Sequence, residues 1–208
     1  MAEPDTARVA PQHRRPVPAP GAEGNAKLTA MTGALLLAGF VIEGLTILEI
    51  HRLLFWHFLV GLLLIGPVLL KIASTTYRFA RYYTRSAPYV RKGPPSPVLR
   101  VLGPLVIFTS VGVLGTGVML AVVGPGSGPW LFLHKASFVL WFGVMTIHVL
   151  NYAPRLPRLL GMRTEHGGRA VAVSGGAARW LLLAGSLAVG IGVAAVTMQL
   201  SAKWGISF

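Results

Sequence analysis

The 208-residue chain is 53% hydrophobic and only 12% charged, which is about half the charged share of a water-soluble domain. Long apolar runs separate its clustered charges, so the sequence predicts an all-α, polytopic membrane bundle of five transmembrane helices. The net charge of +13 comes mostly from two loops and a tail beside these runs, which favours topology signals and contacts with membrane lipids over nucleic-acid binding. No cysteine is present, which excludes disulfides, thiolate ligation and covalently attached haem.

The N-terminal part of the chain differs sharply from the rest. Residues 1–26 hold five prolines and no apolar run, so we expect a disordered cytoplasmic tail followed by a transmembrane bundle over residues 27–208. The first two spans are expected at about 28–50 and 52–75. Almost no connection separates them, so they should form a tight antiparallel hairpin, and Pro67 should kink the second span.

Three further spans follow. We expect them at about 101–123, 130–153 and 180–200. The third span is rich in small residues, and the fifth repeats them every four positions at Ser186, Gly190 and Ala194. Small residues allow close approach of helices in lipid, so these stripes predict helix packing.

Two loops carry most of the basic residues. They connect spans two and three, and spans four and five. Basic loops face the cytoplasm, so the N-terminus is expected inside and the C-terminus outside a bacterial-type cytoplasmic (inner) membrane. Spans two and four then run in the same direction, and residues at equal depth in them can face one another.

His57 and His134 each lie about five residues into the apolar part of spans two and four. Two imidazoles on facing helices are the ligands that a b-type haem needs, so we expect a bis-histidine haem and a four-helix haem-binding core. Phe138 and Trp141 could pack on the macrocycle. Room for the porphyrin and partners for its propionates are expected from Gly61, Arg52 and Lys135.

Other interpretations of these histidines remain open. Each histidine could make only a structural hydrogen bond within the bundle. Zinc is less favoured, because a closed site needs four ligands and no acid or thiol is expected nearby. Glu43, in span one, could carry protons near the haem or pair with Arg52, and His51 is expected at the membrane boundary.

A second porphyrin position is less well supported. His148 follows His134 by fourteen residues, on nearly the same helix face, and Lys71 follows His57 by the same interval. A neutral lysine amine could coordinate iron, but Lys71 could equally extend its ammonium group to the lipid headgroups. We therefore expect one firmly bound haem and keep a His148–Lys71 haem as the alternative.

The spacing of His57, His134 and His148 resembles that of the membrane cytochromes b of the cytochrome b561 and ferric-reductase-like families, over roughly residues 50–154. Those families place two histidines on each of two helices and hold two haems, whereas Lys71 stands here at the fourth position. The resemblance implies electron transfer across or at the membrane, often with a quinone or a periplasmic or secreted redox partner.

The expected function is therefore haem-b electron transfer between a quinone pool or redox partner and a donor or acceptor at the outer face, as the cytochrome b subunit of a membrane oxidoreductase. The chain has no dinucleotide-binding fingerprint, so a partner must supply or receive the electrons. The alternative is a non-redox membrane protein, either an assembly factor or a small transporter.

Overall fold

A computed structural model describes residues 20–93, 97–161, 163–166 and 169–205. Five helices in these ranges are long and apolar enough to cross a membrane. The fold class predicted from the sequence, an all-α polytopic bundle, is confirmed. Exposed apolar side chains, such as Phe108 and Val196 with exposed fractions of 77% and 75%, cover the outer faces of the bundle, as expected for contact with lipid.

The elements follow one another as helices with short connections. The long helices are α1 (Pro20–Leu48), α2 (Ile50–Tyr83), α4 (Pro97–Val123), α5 (Gly128–Tyr152) and α7 (Gly176–Thr197). Two helices of five residues each, α3 (Ala87–Arg91) and α6 (Leu156–Leu160), lie in the connections. Short 3₁₀ segments cover Ala153–Arg155 and Met198–Trp204.

The loop before α7 contains a structure that the sequence did not predict. Strands β1 (Arg163–His166) and β2 (Arg169–Ala172) pair antiparallel, with Thr164 opposite Val171. The strands are four residues long, which is too short to give an alternating pattern that stands out from an ordinary basic loop.

The predicted tight hairpin of the first two spans is confirmed, because only Glu49 separates α1 from α2. The backbone leaves helical dihedral angles at Leu53 (φ −108°, ψ 16°), close to the hairpin. Pro67, where a kink was expected, lies inside α2 among its buried residues and keeps helical dihedral angles.

Helices α1 and α2 extend furthest beyond the predicted spans. Helix α1 begins at Pro20, so residues 20–26 are helical and not part of a disordered tail, while residues 1–19 lie outside the described ranges. The extension is stabilised by packing, since Ala22 is buried against Tyr89 of α3, and the Tyr89 hydroxyl donates to the carbonyl oxygen of Gly21 at 3.3 Å. Helix α2 continues to Tyr83 and carries part of the basic segment that was expected as loop.

The small-residue stripe of the fifth span packs as predicted. Helix α7 lies against α2, and the two backbones meet at Gly66 and Gly190. A Cβ atom on Gly66 would collide with the carbonyl oxygen of Ser186, and one on Gly190 would collide with that of Leu63. The absence of both side chains therefore sets the distance between α2 and α7.

The long helices form two closely packed groups. Helices α1, α2 and α7 make one group, and α4 packs against α5 in the other. Close backbone contacts between α2 and α5 are few or absent among the described residues. Side chains bridge this space, as in the edge-to-face contact of Phe40 with Trp141 at 4.7 Å between ring centroids. The interior of the bundle is thus a space between two helical layers. The predicted pairs His57–His134 and Lys71–His148 line this space.

Candidate functional site

His57 on α2 and His134 on α5 face each other across the space between the helical layers. Their ring centroids are 6.4 Å apart, with an angle of 71° between the ring planes. The prediction that the two imidazoles come close to one another is therefore confirmed. We call these two residues the histidine pair.

The ring of His57 is held by two acceptors from α1. Its Nδ1 lies 3.0 Å from Oε1 of Glu43 and 2.9 Å from the hydroxyl oxygen of Thr46. That hydroxyl donates its proton to the carbonyl oxygen of Glu43 at 2.6 Å, so its oxygen is left to accept. We therefore assign the ring proton of His57 to Nδ1, which leaves the lone pair of Nε2 free.

The ring of His134 is held in a similar way by α4. Its Nδ1 lies 3.2 Å from the hydroxyl oxygen of Thr116, and that hydroxyl donates to the carbonyl oxygen of Gly112 at 2.8 Å. By the same counting of protons we assign the ring proton of His134 to Nδ1, which leaves its Nε2 unprotonated. Gly117 makes room for the ring, since a Cβ atom there would lie 3.0 Å from Cε1 of His134.

The separation of the two rings matches that of two imidazoles bound to one iron. With a metal–nitrogen distance of about 2 Å on each side, two imidazoles on one iron hold their ring centres roughly 6 Å apart, and the observed separation of His57 and His134 is 6.4 Å. Both rings keep Nε2 available, and each Nδ1 is bonded to an orienting partner, which is the usual arrangement around metal-ligating histidines.

The contact between Glu43 and His57 was not predicted from the sequence. Glu43 was expected near the depth of the haem, as a proton carrier or as a partner of Arg52. In the structure its Oε1 contacts His57, while its Oε2 is buried without a hydrogen-bond partner. The carboxyl is thus positioned to orient the imidazole.

The other residues considered from the sequence differ in their surroundings. Gly61 was expected to leave room for a porphyrin, but a Cβ atom there would lie 3.1 Å from Oε1 of Glu43, so the space belongs at least partly to that carboxyl. Arg52 and Lys135 are exposed near the starts of their helices, where propionate contacts remain a prediction. His51 is also exposed, as expected for a residue at the boundary.

The rings expected to pack on the macrocycle follow His134 along α5. Trp141 is buried and donates from Nε1 to the hydroxyl of Ser110 at 3.0 Å. Phe138 lies beside it, with 6.2 Å between the ring centroids. Trp141 also contacts Phe40, so this aromatic group separates the histidine pair from the second predicted position.

Lys71 and His148 line one cavity of about 150 Å³ between α1, α2, α4 and α5, which we call the lysine cavity. The amine of Lys71 does not extend toward the headgroups. It donates to the carbonyl oxygen of Thr29 at 2.6 Å, and it lies 5.4 Å from the centroid of the Tyr152 ring. His148 stacks on the same ring at 5.8 Å, and its Nδ1 is buried without a hydrogen-bond partner.

The lysine cavity is small for a second haem. Its volume of about 150 Å³ is below the range of roughly 300–1,000 Å³ typical of sites for drug-sized ligands. The Lys71 amine is also engaged by the α1 backbone. Ligation of iron by Lys71 therefore remains the less supported prediction.

Several site residues were missed by sequence reasoning. Thr46, Thr116 and Gly117 hold or accommodate the imidazoles, yet threonine and glycine are common in membrane helices and carry no pattern of their own. Only Glu43 gave a signal, as an acid inside an apolar span. No protein-family model, curated protein or solved structure matches this chain, so the resemblance to membrane cytochromes b stays a prediction.

Proposed function

We propose that this chain is a membrane electron-transfer protein that binds a b-type haem between His57 and His134. The observation that carries the proposal is the histidine pair itself. Two rings at a 6.4 Å centroid separation both have Nδ1 bonded to partners of their own helical layer and Nε2 free. Structural hydrogen bonds made by each histidine separately would not require the two rings to face each other at the separation expected for two ligands of one iron.

Different residues would hold each of the two histidines that bind such a group. A bound haem supplies a one-electron carrier whose potential depends on its axial ligands and their surroundings. Glu43 and Thr46 fix the orientation of His57, and the carboxyl increases the basicity of the imidazole. Thr116 fixes His134 with a neutral acceptor instead, so the two imidazoles would differ in electron donation to a bound haem.

The electron partners follow from what the chain contains. It has no dinucleotide-binding fingerprint, so electrons must come from the quinone pool or from a redox partner. The loop charges favour a cytoplasmic membrane with the histidine pair near the outer face. A periplasmic or secreted oxidoreductase at that face is the partner class that this placement favours.

Absorption spectroscopy of the purified membrane protein tests the proposal. We expect a low-spin b-type signal in the reduced-minus-oxidised spectrum, and its loss in either His57→Ala or His134→Ala. His51→Ala is the matched control, because His51 is an exposed histidine on the same helix. A wild-type spectrum in both ligand variants would refute the ligand pair, and a colourless wild-type protein would favour the non-redox alternative.

The haem-to-protein ratio tests the number of sites. A ratio near one supports binding at the histidine pair alone, and a ratio near two assigns a second haem to the lysine cavity. In that second case Lys71→Met should change only one of the two low-spin signals in electron paramagnetic resonance. Unchanged signals would exclude Lys71 as a ligand.

A further inference from the structure

We infer that the lysine cavity binds an apolar monocarboxylic acid, with the carboxylate on the amine of Lys71 and the hydrocarbon body against the apolar wall. This site is separate from the histidine pair, and its occupancy does not require a haem, so the inference goes beyond the proposed function. Three features of the cavity carry it. They are an amine held inside the bundle without an acid, an unpaired nitrogen of His148, and a wall that is mostly apolar.

The amine of Lys71 is held inside the bundle by α1. It donates to the carbonyl oxygen of Thr29 at 2.6 Å. A Cβ atom on Gly33 would lie only 2.9 Å from Nζ of Lys71, so the missing side chain of Gly33 makes room for the amine. A lysine near the end of a membrane span ordinarily extends its charge to the headgroups. Here the contacts with α1 direct the amine to the cavity instead.

The protein supplies no counter-charge for this amine. Lys71 has three N–H groups, and among the described residues only the carbonyl oxygen of Thr29 accepts from it. None of the described residues that line the cavity is acidic. A buried ammonium group is costly unless an opposite charge is paired with it. A ligand that carries a negative charge into the cavity would therefore gain a charge-assisted hydrogen bond.

The unpaired nitrogen of His148 suits a carboxyl group in either ring tautomer. This nitrogen, Nδ1, is buried without a hydrogen-bond partner, which costs free energy. With the ring proton on Nδ1, it donates to a carboxylate oxygen, and without that proton it accepts from the O–H of a protonated carboxyl group. His148 and Lys71 both lie against the ring of Tyr152, so they are neighbours in the cavity wall.

The rest of the wall selects an acid with an apolar body. Leu36, Phe40, Val68 and Ile107 are among the lining residues. The cavity volume of about 150 Å³ is sufficient for a benzene molecule, so a body of about six carbon atoms fits within it. A small hydrated anion would lose its water against this wall without burying apolar surface in return. A short aliphatic or aromatic acid would be enclosed, whereas a membrane fatty acid would place only the carboxyl end of its chain there.

Three ligands separate the contribution of the charge from that of the apolar body. Hexanoate and hexanamide share a chain and a carbonyl oxygen, but only hexanoate is charged, and acetate has the charge without the chain. Calorimetric titration of the detergent-solubilised protein, corrected for a detergent blank, gives the affinity of each. A charge-assisted hydrogen bond predicts that hexanoate binds about tenfold or more tightly than hexanamide. Burial of its longer chain predicts an advantage of about a hundredfold over acetate.

Two pairs of variants locate the site. Lys71→Met removes the charge and should bind hexanoate about as weakly as hexanamide, whereas Lys92→Met removes an exposed lysine beside α3 and should bind as the wild type does. Gly103 lines the cavity, and a Cβ atom there would meet nothing within 4 Å, so Gly103→Leu should fill the cavity and abolish binding. Gly115 on the same helix is exposed and equally unhindered, and Gly115→Leu should leave binding unchanged.

The outcomes also distinguish the sources of the acid. Equal affinity for hexanoate and hexanamide, acetate binding as tight as that of hexanoate, or hexanoate binding that survives Lys71→Met or Gly103→Leu would each overturn the inference. If Lys71→Met does not fold, the ligand comparison and Gly103→Leu still decide. Palmitate that binds more tightly than hexanoate, after correction for its partition into micelles, assigns the site to a membrane fatty acid, and palmitate that does not assigns it to a small acid. Because none of these titrations measures haem, a failure here is distinguishable from a failure of the His57–His134 proposal.

Discussion

Glu43 provides the sharpest test of how the histidine pair is held. Replacing it with leucine removes the carboxyl that lies 3.0 Å from Nδ1 of His57 while keeping an apolar side chain of similar bulk. Thr46, whose oxygen lies 2.9 Å from the same nitrogen, remains as an acceptor. The substitution therefore weakens the support of one proposed haem ligand, His57, without removing that histidine.

The magnitude follows from counting acceptors. Loss of an orienting partner typically lowers metal affinity about 10–100-fold, which corresponds to about 1.4–2.7 kcal/mol. Since Thr46 still accepts in Glu43→Leu, we expect a loss of haem affinity of about tenfold. Adding Thr46→Val leaves the buried N–H without an acceptor and should bring the loss toward about a hundredfold. Glu43→Gln keeps an acceptor oxygen and should show the smallest effect.

Haem transfer to excess apomyoglobin, followed by absorption, measures these differences as dissociation rates. Glu49→Gln is the matched control, because Glu49 is an exposed acid between α1 and α2. From slowest to fastest haem dissociation, the predicted order is wild type, Glu43→Gln, Glu43→Leu and then the double variant. A Glu43→Leu protein with the wild-type rate would refute the assigned role of the carboxyl.

Three further predictions test the scaffold. Gly66→Ala should destabilise the bundle by about 1–3 kcal/mol relative to Gly185→Ala in detergent unfolding, because only the first Cβ would collide with a neighbouring helix; equal stability would contradict the α2–α7 contact. Burial raises the pKa of the Tyr89 phenol, so the fold favours the neutral form, and its contribution to stability is lost as the pH rises above about 10. Tyr89→Phe should therefore lose less stability than the wild type between about pH 8 and pH 11, and parallel curves would rule out this contribution. Reporter fusions after positions 90 and 165 should indicate the cytoplasm and one at position 208 the outside, and reversed signals would move the histidine pair to the inner leaflet.

The sequence by itself determined the membrane bundle and the depth of its histidines. Long apolar runs require helices in lipid, since backbone groups must be satisfied within each span. A constant rise and turn per residue then convert a shared offset of His57 and His134 from their helix starts into a shared depth. The same rule placed Lys71 and His148 together at the other end of the space between the layers, where both now line one cavity.

Only the tertiary structure decided what each of these side chains touches. The partner of His57 is Glu43, which stands fourteen residues earlier on another helix, and the space beside His134 is left by Gly117 of α4. Such contacts depend on the rotation of each helix about its axis and on its distance from its neighbours, which are set by small-residue crossings such as Gly66 with Gly190. Helical periodicity fixes the position of a residue along its own helix, but the packing of α1, α4 and α7 fixes which residues lie opposite. The assignment of the ring proton in each imidazole therefore depends on this packing alone.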